Sequence, residues 1–464
     1  LAEALADYAT GIFGKWHLGD EYPMRASDQG FQESLVHLGG GLAQASEPIE
    51  NKRRYTNPVL FLNNEKVQTR GYCTDLYFEA ASRFIDRSAQ AQKPFFAYIA
   101  PNAPHGPFHD VPKALYQKYL KRNLESVMID GAGSRDTVAR ILAMIENVDD
   151  NIGRLLDLLD RRKLTRNTLV IFLNDNGPNS RRFVGPLRGK KTELHDGGVR
   201  SPLWLRWPDR LKPGTTSDRV SAHYDIMPTI LDATGVNLSP DVTLDGRSLL
   251  PLLQQKSVSW PDRDLYLQAH RGDNPVPDHN MLVRNQCWKL LRQSGFGSET
   301  PDPDVPFELY DLANDPGETQ KLVFERPDIF DAMHQRYLAW FKDVSTTRPD
   351  NYAPPRMRIG NAASRQLILS SQDRREIPTG YEWHLQIDQA GTYAVELQWA
   401  APCPATKIQV KADAQTLSAA IPAGSITHPC GQLTLPAGPL NLQMNVSPNK
   451  NRSEAPYFVI LKAL

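Results

Sequence analysis

The stretch DLYFEAASRFIDRSAQAQKPFFAYIA, residues 75–100, decides the fold class of this chain. Its first half repeats apolar residues at the spacing of one helical face, and the PFFAYIA that follows indicates a buried strand. The same order returns downstream, because residues 137–159 keep helical spacing and TLVIFLND at 168–175 is a second apolar strand. Helices that alternate with apolar strands predict an α/β fold, with a mixed, mostly parallel sheet sandwiched by helices.

Beyond this core the α/β pattern weakens toward the C-terminus. It persists to about residue 240, where SPLWLRW at 201–207 predicts a further strand. WKLL at 288–291 and FELYDL at 307–312 then predict a small antiparallel sheet, and residues 326–343 predict a final amphipathic helix. We therefore expect a C-terminal α+β subdomain after the larger sheet.

A Pro-rich segment, TTRPDNYAPP at 346–355, precedes a change in composition. The residues that follow alternate apolar and polar side chains in short runs separated by Gly, Pro and Asn, which is typical of a small β-sandwich. The predicted domains are an α/β catalytic domain at 1–255, an α+β subdomain at 256–345, a linker at 346–355 and a β-sandwich accessory domain at 356–464.

Composition excludes some classes of partner. Lys plus Arg and Asp plus Glu number 53 each in 464 residues, so no global field favours nucleic acid. No apolar run reaches the roughly 20 residues that cross a bilayer, so we expect no membrane span. The chain begins at Leu1 with neither an initiator Met nor a signal peptide, which fits a fragment or a processed chain. Nothing in the sequence indicates an oligomeric state.

The four cysteines lack the spacing of a zinc site or of a dense disulfide framework. Cys73 and Cys287 are interpreted as isolated thiols. Cys403 and Cys430 both fall in the β-rich region, and a bridge between them is a hypothesis that suits an oxidising compartment.

Four polar stretches lie where strands end, which is where α/β folds collect functional groups. Together they offer oxygen ligands for a hard divalent cation, ammonium groups for an anion and two histidines for proton transfer. These parts suit the hydrolysis of a charged ester, and sulfate and phosphate esters both fit. The stretches are TGIFGKWHLGD (10–20), PNAPHGPF (101–108), NDNG (174–177) and GPLRGKKTELHDGGVRSP (185–202).

The order of these motifs, followed by DGRSLLPLL at 245–253, resembles that of type I sulfatases over about residues 8–345. The resemblance implies an alkaline-phosphatase-like fold and a sulfuric ester hydrolase. It implies that Lys15 and His17 contact a formylglycine hydrate and the sulfate, that His105 serves the leaving group, and that Lys191 binds sulfate.

The resemblance also implies that Asp175 and Asn176 are calcium ligands. An Asx-type turn into Gly177 explains the same DNG motif without any metal, so both interpretations stay open. Lys190 is interpreted as a neighbour of the sulfate-binding lysine, and Arg188 as a structural residue. We also interpret His195, Asp196 and His223 as structural.

The chain departs from the family in its nucleophile. Sulfatases oxidise the Cys of C-x-P-x-R or C-x-A-x-R, or a Ser there, to formylglycine, and none of the four cysteines lies in such a motif. The family places that motif upstream of GKWH, together with a strand that ends in paired aspartates of the calcium site. We therefore expect an N-terminally truncated chain with an incomplete calcium site, no turnover and an unpaired sheet edge prone to aggregation.

The resemblance leaves the substrate open. A sulfated carbohydrate or small molecule in a periplasmic or secreted setting is the expectation by family analogy, and the Gly-rich segment 25–44 is the candidate for specificity. The alternatives are a phosphodiesterase or phosphonate hydrolase of the same superfamily, and a non-catalytic fragment that binds glycans through residues 352–464.

Overall fold

A computed structural model describes residues 1–128, 131, 133–182, 184–255, 260–272, 274–347, 356–447 and 455–464. Its helices are α1 (Cys73–Gln90), α2 (Lys113–Leu120), α3 (Arg135–Arg161), α4 (Asp196–Val199), α5 (Ile226–Thr234), α6 (Leu250–Leu253) and α7 (Pro327–Ser345). The strands before the β-rich region are β1 (Ala9–Lys15), β2 (Glu33–His37), β3 (Val59–Leu62), β4 (Glu65–Gln68), β5 (Phe95–Ala100), β6 (Val170–Leu173), β7 (Leu203–Arg206), β8 (Leu265–Gln268), β9 (Met281–Arg284), β10 (Trp288–Arg292) and β11 (Glu308–Asp311). The later strands are β12 (Met357–Ile359), β13 (Gln366–Ser370), β14 (Arg375–Ile377), β15 (Gly380–Ile387), β16 (Gly391–Gln398), β17 (Thr406–Ala412), β18 (Gln415–Ile421), β19 (Thr427–Leu435), β20 (Gly438–Ser447) and β21 (Phe458–Ala463).

The chain forms two compact units, and each contains segments that are distant in sequence. The first unit comprises Leu1–Tyr119, Ala139–Leu158 and Pro355–Leu464, and the second comprises Leu120–Val138 and Leu159–Pro354. The predicted linker at 346–355 falls mainly outside the described residues, and the four predicted domain bounds stay predictions.

A five-stranded mixed sheet in the order β4-β3-β2-β1-β5 organises the first unit. β1 pairs in parallel with β2 and β5, whereas the β2·β3 and β3·β4 pairs are antiparallel. Helix α1 packs on this sheet through a buried face, and the Phe84 ring lies 5.5 Å from that of Phe13. Burying one such aromatic side chain contributes roughly 1.5–3 kcal/mol. The predicted α/β class is confirmed.

Strand β2 corrects the expectation that residues 25–44 form one specificity loop. Residues 33–37 are instead a strand in which Ser34 to His37 are buried. The short ESLVH run lies between glycines and mixes polar with apolar residues, so it gives no clear strand period. Buried partners make the strand possible: the Asn63 side-chain oxygen accepts the Ser34 N–H at 2.8 Å. The loop proper therefore begins only after His37.

Strand β5 forms one edge of this sheet. Its Tyr98 is 48% exposed, which is high for an aromatic residue on a strand with apolar neighbours. The strand that the sequence predicted as buried is therefore only partly buried along its length.

Helix α3 is long and amphipathic. Within the first unit its Ala143 and Met144 are fully buried, and its Asn151 side chain donates to Asp75 of α1 at 2.7 Å.

None of the helices in the described part of the chain combines the length and apolarity needed to cross a membrane.

The second unit holds an antiparallel sheet in the order β11-β10-β9-β8, against which α7 packs. Met333 and Tyr337 of α7 are buried with Val283 and Leu290 of the sheet, as the period of the predicted helix indicated.

Strands β6 and β7 pair with each other in antiparallel register, with Val170 opposite Arg206. An apolar run predicts a strand but not its direction, which explains why the expected parallel pairing fails for this pair.

The region after residue 356 is built from two antiparallel-rich sheets that share one apolar core, as the alternating pattern predicted. One has the order β12-β15-β20-β17-β18, with β14 paired to β15, and the other has the order β13-β21-β16-β19. Strand β17 alternates buried and exposed residues along its whole length. Trp383, Val410 and Leu442 from the first sheet meet Leu367 and Leu461 from the second. We call this region the β-sandwich.

The cysteines correct the disulfide hypothesis. All four are free thiols, so Cys403 and Cys430 do not pair. Cys403 is buried in the β-sandwich core, and burial raises the pKa of the half-buried Cys430 thiol to about 11. The two behave as small apolar residues.

Candidate functional site

The carboxyl end of β1 presents the first two predicted site residues. Lys15 is the last residue of β1 and pairs with His37 of β2. Gly14 has a φ of 130°, and a Cβ there would lie 2.1 Å from the Ala100 carbonyl oxygen of β5. Only glycine allows this approach of the two strands.

His17 turns sharply away from the strand. Its φ is 57°, in the left-handed region that few residues other than glycine adopt, and its N–H donates to the Leu38 carbonyl at 2.9 Å. Such conformations persist where surrounding bonds fix them, and they concentrate at functional sites. The turn leaves the His17 side chain exposed at the end of the sheet.

A glycine loop, Gly39–Gly41, brings His17 and His105 to one place. A Cβ on Gly40 would lie 2.8 Å from His17 Cε1, and a Cβ on Gly41 would lie 3.3 Å from His105 Nδ1. The loop therefore contacts both imidazole rings, and any side chain at residue 40 would displace the His17 ring. His17 and His105, which the sequence predicted as site residues, are thus neighbours in the first unit, and Lys15, predicted with them, is paired with His37 on the adjoining strand.

Hydrogen bonds fix the tautomer of His105. Its Nδ1 lies 2.8 Å from the Gly106 carbonyl oxygen, which can only accept, so Nδ1 carries a proton. The buried Tyr55 hydroxyl donates to the same carbonyl at 2.6 Å. His105 is therefore oriented by backbone and by Tyr55, and its Nε2 is the atom that can take or give a proton.

The pKa of the buried His37 depends on the charged groups around it. Its Nδ1 lies 2.8 Å from the Tyr77 hydroxyl oxygen. Burial, followed by the charges of Lys15, His17 and His105, lowers the pKa of His37 to about 3. His37 therefore stays neutral at ordinary pH, and the nearby Lys15 ammonium provides positive charge suited to an anion.

Nearby carboxyl groups do little to cancel this charge. Glu47 accepts the Gly39 N–H at 2.6 Å, yet burial raises its pKa to about 8. Burial, followed by repulsion from Asp373, raises the pKa of Asp20 to about 7. Both acids are largely protonated when the pH is below these values, because desolvation penalises the charged form.

In the second unit, two close backbone contacts bring Asp175 and Asn176 near Lys191. The Gly177 N–H donates to the Gly198 carbonyl at 2.9 Å, and the Lys191 N–H donates to Pro178 at 2.8 Å. A Cβ on Gly177 would lie 1.9 Å from the Gly197 carbonyl oxygen. The glycines of the DNG and DGG motifs thus allow the two loops to touch.

A calcium site needs more oxygens than these residues supply. Asp175 is exposed, and the Asn176 side-chain nitrogen donates to the Gly177 carbonyl at 2.7 Å. Calcium prefers six to eight oxygen ligands. Over the described residues, His, Cys, Asp and Glu form no group of three or more that could hold a metal ion. Asp175 and Asn176 do not by themselves fit calcium, and their role as ligands stays a prediction.

Residues next to Lys191 form a buried network instead of a reactive site. Asp196 is 2.9 Å from the fully buried Lys289 ammonium, which is 2.8 Å from Glu318. His195 Nε2 lies 3.2 Å from Glu308. These contacts agree with the structural interpretation of His195 and Asp196.

Arg188 fits the structural interpretation as well. Its guanidinium donates to the Tyr310 hydroxyl at 2.9 Å and to the Glu318 carbonyl at 3.0 Å. Both partners belong to the second unit, so Arg188 ties its loop to neighbouring backbone and side chain.

Sequence reasoning assigned no individual role to three polar residues at the His17 site. They are His37, Gln44 and Gln372, and the last belongs to the β-sandwich. His37 follows an apolar run and could have been identified as a strand-end residue. No local pattern marks the two glutamines, because their contacts exist only in three dimensions.

Two family models match the chain. A model described as Sulfatase matches residues 3–236, which is half of the chain, and one described as N-sulphoglucosamine sulphohydrolase, C-terminal, matches residues 190–340. The predicted family is therefore confirmed.

Relatives and a solved structure agree with the models. The uncharacterized sulfatase YdeN of Escherichia coli (strain K12) is 33% identical over 277 residues, 56% of this chain and 47% of that protein. The N-acetylgalactosamine-6-sulfatase of Canis lupus familiaris is 27% identical over 369 residues, 71% of this chain and 65% of that protein. The crystal structure of Ps i-CgsB in complex with k-i-k-neocarrahexaose superposes with a TM-score of 0.61 at 25% identity, covering 74% of each chain.

The chain thus spans about half of the first relative and about two thirds of the second. The match to the family model extends over both predicted histidine loops and the DNG loop, whose geometry is described above. The chain belongs to the sulfatase family.

Proposed function

We propose that this protein is a sulfuric ester hydrolase that acts on sulfate monoesters of a carbohydrate. The observation that carries the proposal is the grouping of Lys15, His17 and His105 around the Gly39–Gly41 loop. Lys15 supplies positive charge there, and the adjacent carboxyl groups of Asp20 and Glu47 are held toward their neutral forms. A sulfate ester carries the negative charge that such a site attracts.

Each side chain has a distinct part in the proposed chemistry. The Lys15 ammonium offsets negative charge on the sulfate oxygens as the ester bond to sulfur breaks. In its doubly protonated form, His105 gives the proton on Nε2 to the oxygen of the departing alcohol, which is a poor leaving group when it departs as an alkoxide. His17 is proposed as a second sulfate contact, as the family motif implies. Lys191 is proposed as a further sulfate contact, on the basis of the family motif alone.

Calcium and formylglycine are part of this proposal as family expectations. When present, the formylglycine hydrate supplies the nucleophile. The 464 residues contain no C-x-P-x-R or C-x-A-x-R motif, so no residue of this sequence is assigned to that role. Asp175 and Asn176 would provide two of the calcium oxygens. A periplasmic or secreted location is proposed on the same family basis.

Carbohydrate as the substrate class rests on the relatives. One is named an N-acetylgalactosamine-6-sulfatase, and the Ps i-CgsB structure was determined with a neocarrahexaose. Exposed amides of Gln44 and Gln372 beside His17 agree with a substrate that carries many hydroxyl groups.

The proposal is tested with the natural gene product that contains these residues. Release of sulfate from a panel of sulfated mono- and oligosaccharides is measured, together with hydrolysis of 4-nitrophenyl sulfate and bis(4-nitrophenyl) phosphate. We expect kcat/KM for the sulfate ester to exceed that for the phosphate diester by at least 100-fold. The reverse ratio would establish a phosphodiesterase, and binding of glycans without hydrolysis of either ester would establish a binding protein.

A pair of adjacent lysines sharpens the assignment of Lys191. Lys191→Ala should raise KM for 4-nitrophenyl sulfate about 10- to 100-fold, because a charge-assisted hydrogen bond contributes roughly 1.5–3 kcal/mol. The exposed Lys190 provides the matched control, and Lys190→Ala should change KM less than about threefold. Equal effects of the two substitutions would refute the assignment to Lys191.

A further inference from the structure

The β-sandwich reaches the loop that surrounds His17. Gln372 lies in the turn between β13 and β14, and its side-chain nitrogen is 3.4 Å from His17 Nε2 and 3.2 Å from Gln44 Oε1. The Tyr457 hydroxyl, just before β21, donates to the Gln44 carbonyl at 3.0 Å. Two separate segments of the β-sandwich thus hold the loop that carries Gln44.

The turn that carries Gln372 is itself fixed. The Gln372 N–H donates to the Ser370 hydroxyl at 3.0 Å, and the Ser370 N–H donates to the Asp373 carboxylate at 3.1 Å. The Ser370 carbonyl accepts the indole N–H of the buried Trp383 at 2.9 Å. The backbone at Gln372 is therefore fixed by contacts within the β-sandwich.

Only one assignment of donors and acceptors fits the contacts between Gly40, Gln44, Gln372 and His17. The Gly40 N–H lies 2.5 Å from Gln44 Oε1, and because a backbone N–H can only donate, that atom of Gln44 must be the oxygen. An oxygen at this position requires a donor from Gln372, so the NH₂ group of Gln372 must face it. The same NH₂ group faces His17 Nε2, which must then be an acceptor.

We propose that Gln372 is a positioning residue for His17, which it holds as the neutral tautomer with the proton on Nδ1. The β-sandwich is then part of the site and more than an accessory domain. The role of His17 toward substrate rests on the proposed function, whereas the tautomer follows from the hydrogen bonds alone. In this tautomer His17 offers its Nδ1–H as a donor, which suits contact with an anionic oxygen.

Nuclear magnetic resonance of the 464-residue chain with ¹⁵N-labelled histidine tests the proposal. Proton–nitrogen correlations through two bonds identify which ring nitrogen carries the proton, and the His17 signals are assigned by their loss in His17→Gln. In the unmodified protein at pH 7.5 we expect a protonated Nδ1 and an unprotonated Nε2 for His17.

Two substitutions of similar size change what Gln372 offers to His17. Gln372→Met removes the donor, and the population with Nε2 protonated should rise at least fivefold. Gln372→Glu provides only acceptors, so Nε2 should become protonated in most molecules. Gln409 is an exposed glutamine on β17, and Gln409→Met is the matched control that should leave the His17 signals unchanged. A tautomer that stays the same in both Gln372 variants would overturn the proposal.

Titration with inorganic sulfate separates this inference from the proposed function. Movement of the His17 ring signals on adding sulfate, lost in Gln372→Met but kept in Gln409→Met, is the expected result. A fixed Nδ1–H tautomer with no response to sulfate would leave Gln372 as the residue that positions His17 and would contradict a sulfate site there. A sulfate response that is identical in Gln372→Met and the unmodified protein would overturn the role of Gln372.

Discussion

Buried acids behave in opposite ways in the two units. In the first unit, burial raises the pKa of Glu21 and of Glu47 to about 8. In the second unit, burial opposes the ionisation of Asp196 as well, yet the nearby cations Lys289 and Arg284 hold its pKa below the usual range. A buried carboxyl group is therefore driven toward its neutral form in one unit and ionised in the other.

The difference lies in where each unit directs its cations. Lys289 is fully buried and within 3 Å of two carboxylates, so its charge is used to hold the fold together. Lys15 is only half-buried, and His17 is exposed. Because the acids near them are held toward their neutral forms, the Lys15 charge remains available to a ligand. The buried Lys289 thus stabilises the second unit, whereas Lys15 in the first unit is available for chemistry.

Removing Lys289 should have the largest effect on stability. Lys289→Met would leave Asp196 and Glu318 buried without their shared cation, which should lower the free energy of unfolding by roughly 3–5 kcal/mol. Urea denaturation followed by tryptophan fluorescence measures this loss. The control is Lys321→Met, because Lys321 pairs with Glu308 at 2.7 Å but is 52% exposed, and it should cost less than about 1 kcal/mol. Similar losses in both variants would contradict the conclusion that the buried Lys289 stabilises the fold more than the exposed Lys321 does.

Removing His105 should affect chemistry and spare stability. His105→Ala in the natural gene product should lower kcat about 100-fold or more for alkyl sulfates, because their leaving group needs a proton. The loss for 4-nitrophenyl sulfate should be much smaller, since nitrophenolate leaves without one. Steady-state kinetics on both esters, with a thermal melt as control, tests this. Equal losses on the two esters would show that His105 is not the proton donor.

Titration of Glu21 should produce the smallest effect. Glu21 accepts the Ile368 N–H at 2.9 Å, and its pKa rises from 4.5 in the unfolded chain to about 8 in the folded one. Its protonation therefore contributes stability that is fully present below about pH 4.5 and is lost as the pH rises through about 8.

Glu21→Gln keeps a side-chain oxygen that accepts the Ile368 N–H and removes the carboxyl group that titrates. Between pH 6.5 and 7.5 the unmodified protein should lose about 1 kcal/mol more than this variant, as measured by urea denaturation at each pH. Glu376→Gln, which changes an exposed glutamate on β14, should retain the full pH dependence. A variant with the same pH dependence as the unmodified protein would mean that Glu21 ionises without cost.

Much of the fold followed from periodicity. Residues 75–87 predicted helix α1, which extends over Cys73–Gln90, and the final helix was predicted within a few residues of its bounds. Amphipathic patterns report which face is buried, and burial is what stabilises these elements. The direction of the β6·β7 pair was not predictable, because side-chain pattern does not encode it.

The site was only partly predictable. Motif order led to Lys15, His17 and His105, and the structure groups them. Lys191 lies close to the Asp175 loop in the second unit, as neighbouring motifs allowed. The charge state of Glu47 depends on burial by residues far along the chain, and the Gln372 contact joins residues that no local window contains. Such pKa shifts and long-range contacts arise only when the chain is folded.

The contact between His17 and Gln372 spans 355 positions of the chain, and this separation has a consequence for protein synthesis. At 5–20 residues per second, the ribosome needs about 20–70 seconds to reach Gln372 after it has added His17. Throughout that interval the nascent chain carries its histidines in a loop without its later partner. A premature stop codon between positions 106 and 372 would release a polypeptide that keeps His17 and His105 but can never restrain the first of them in this way.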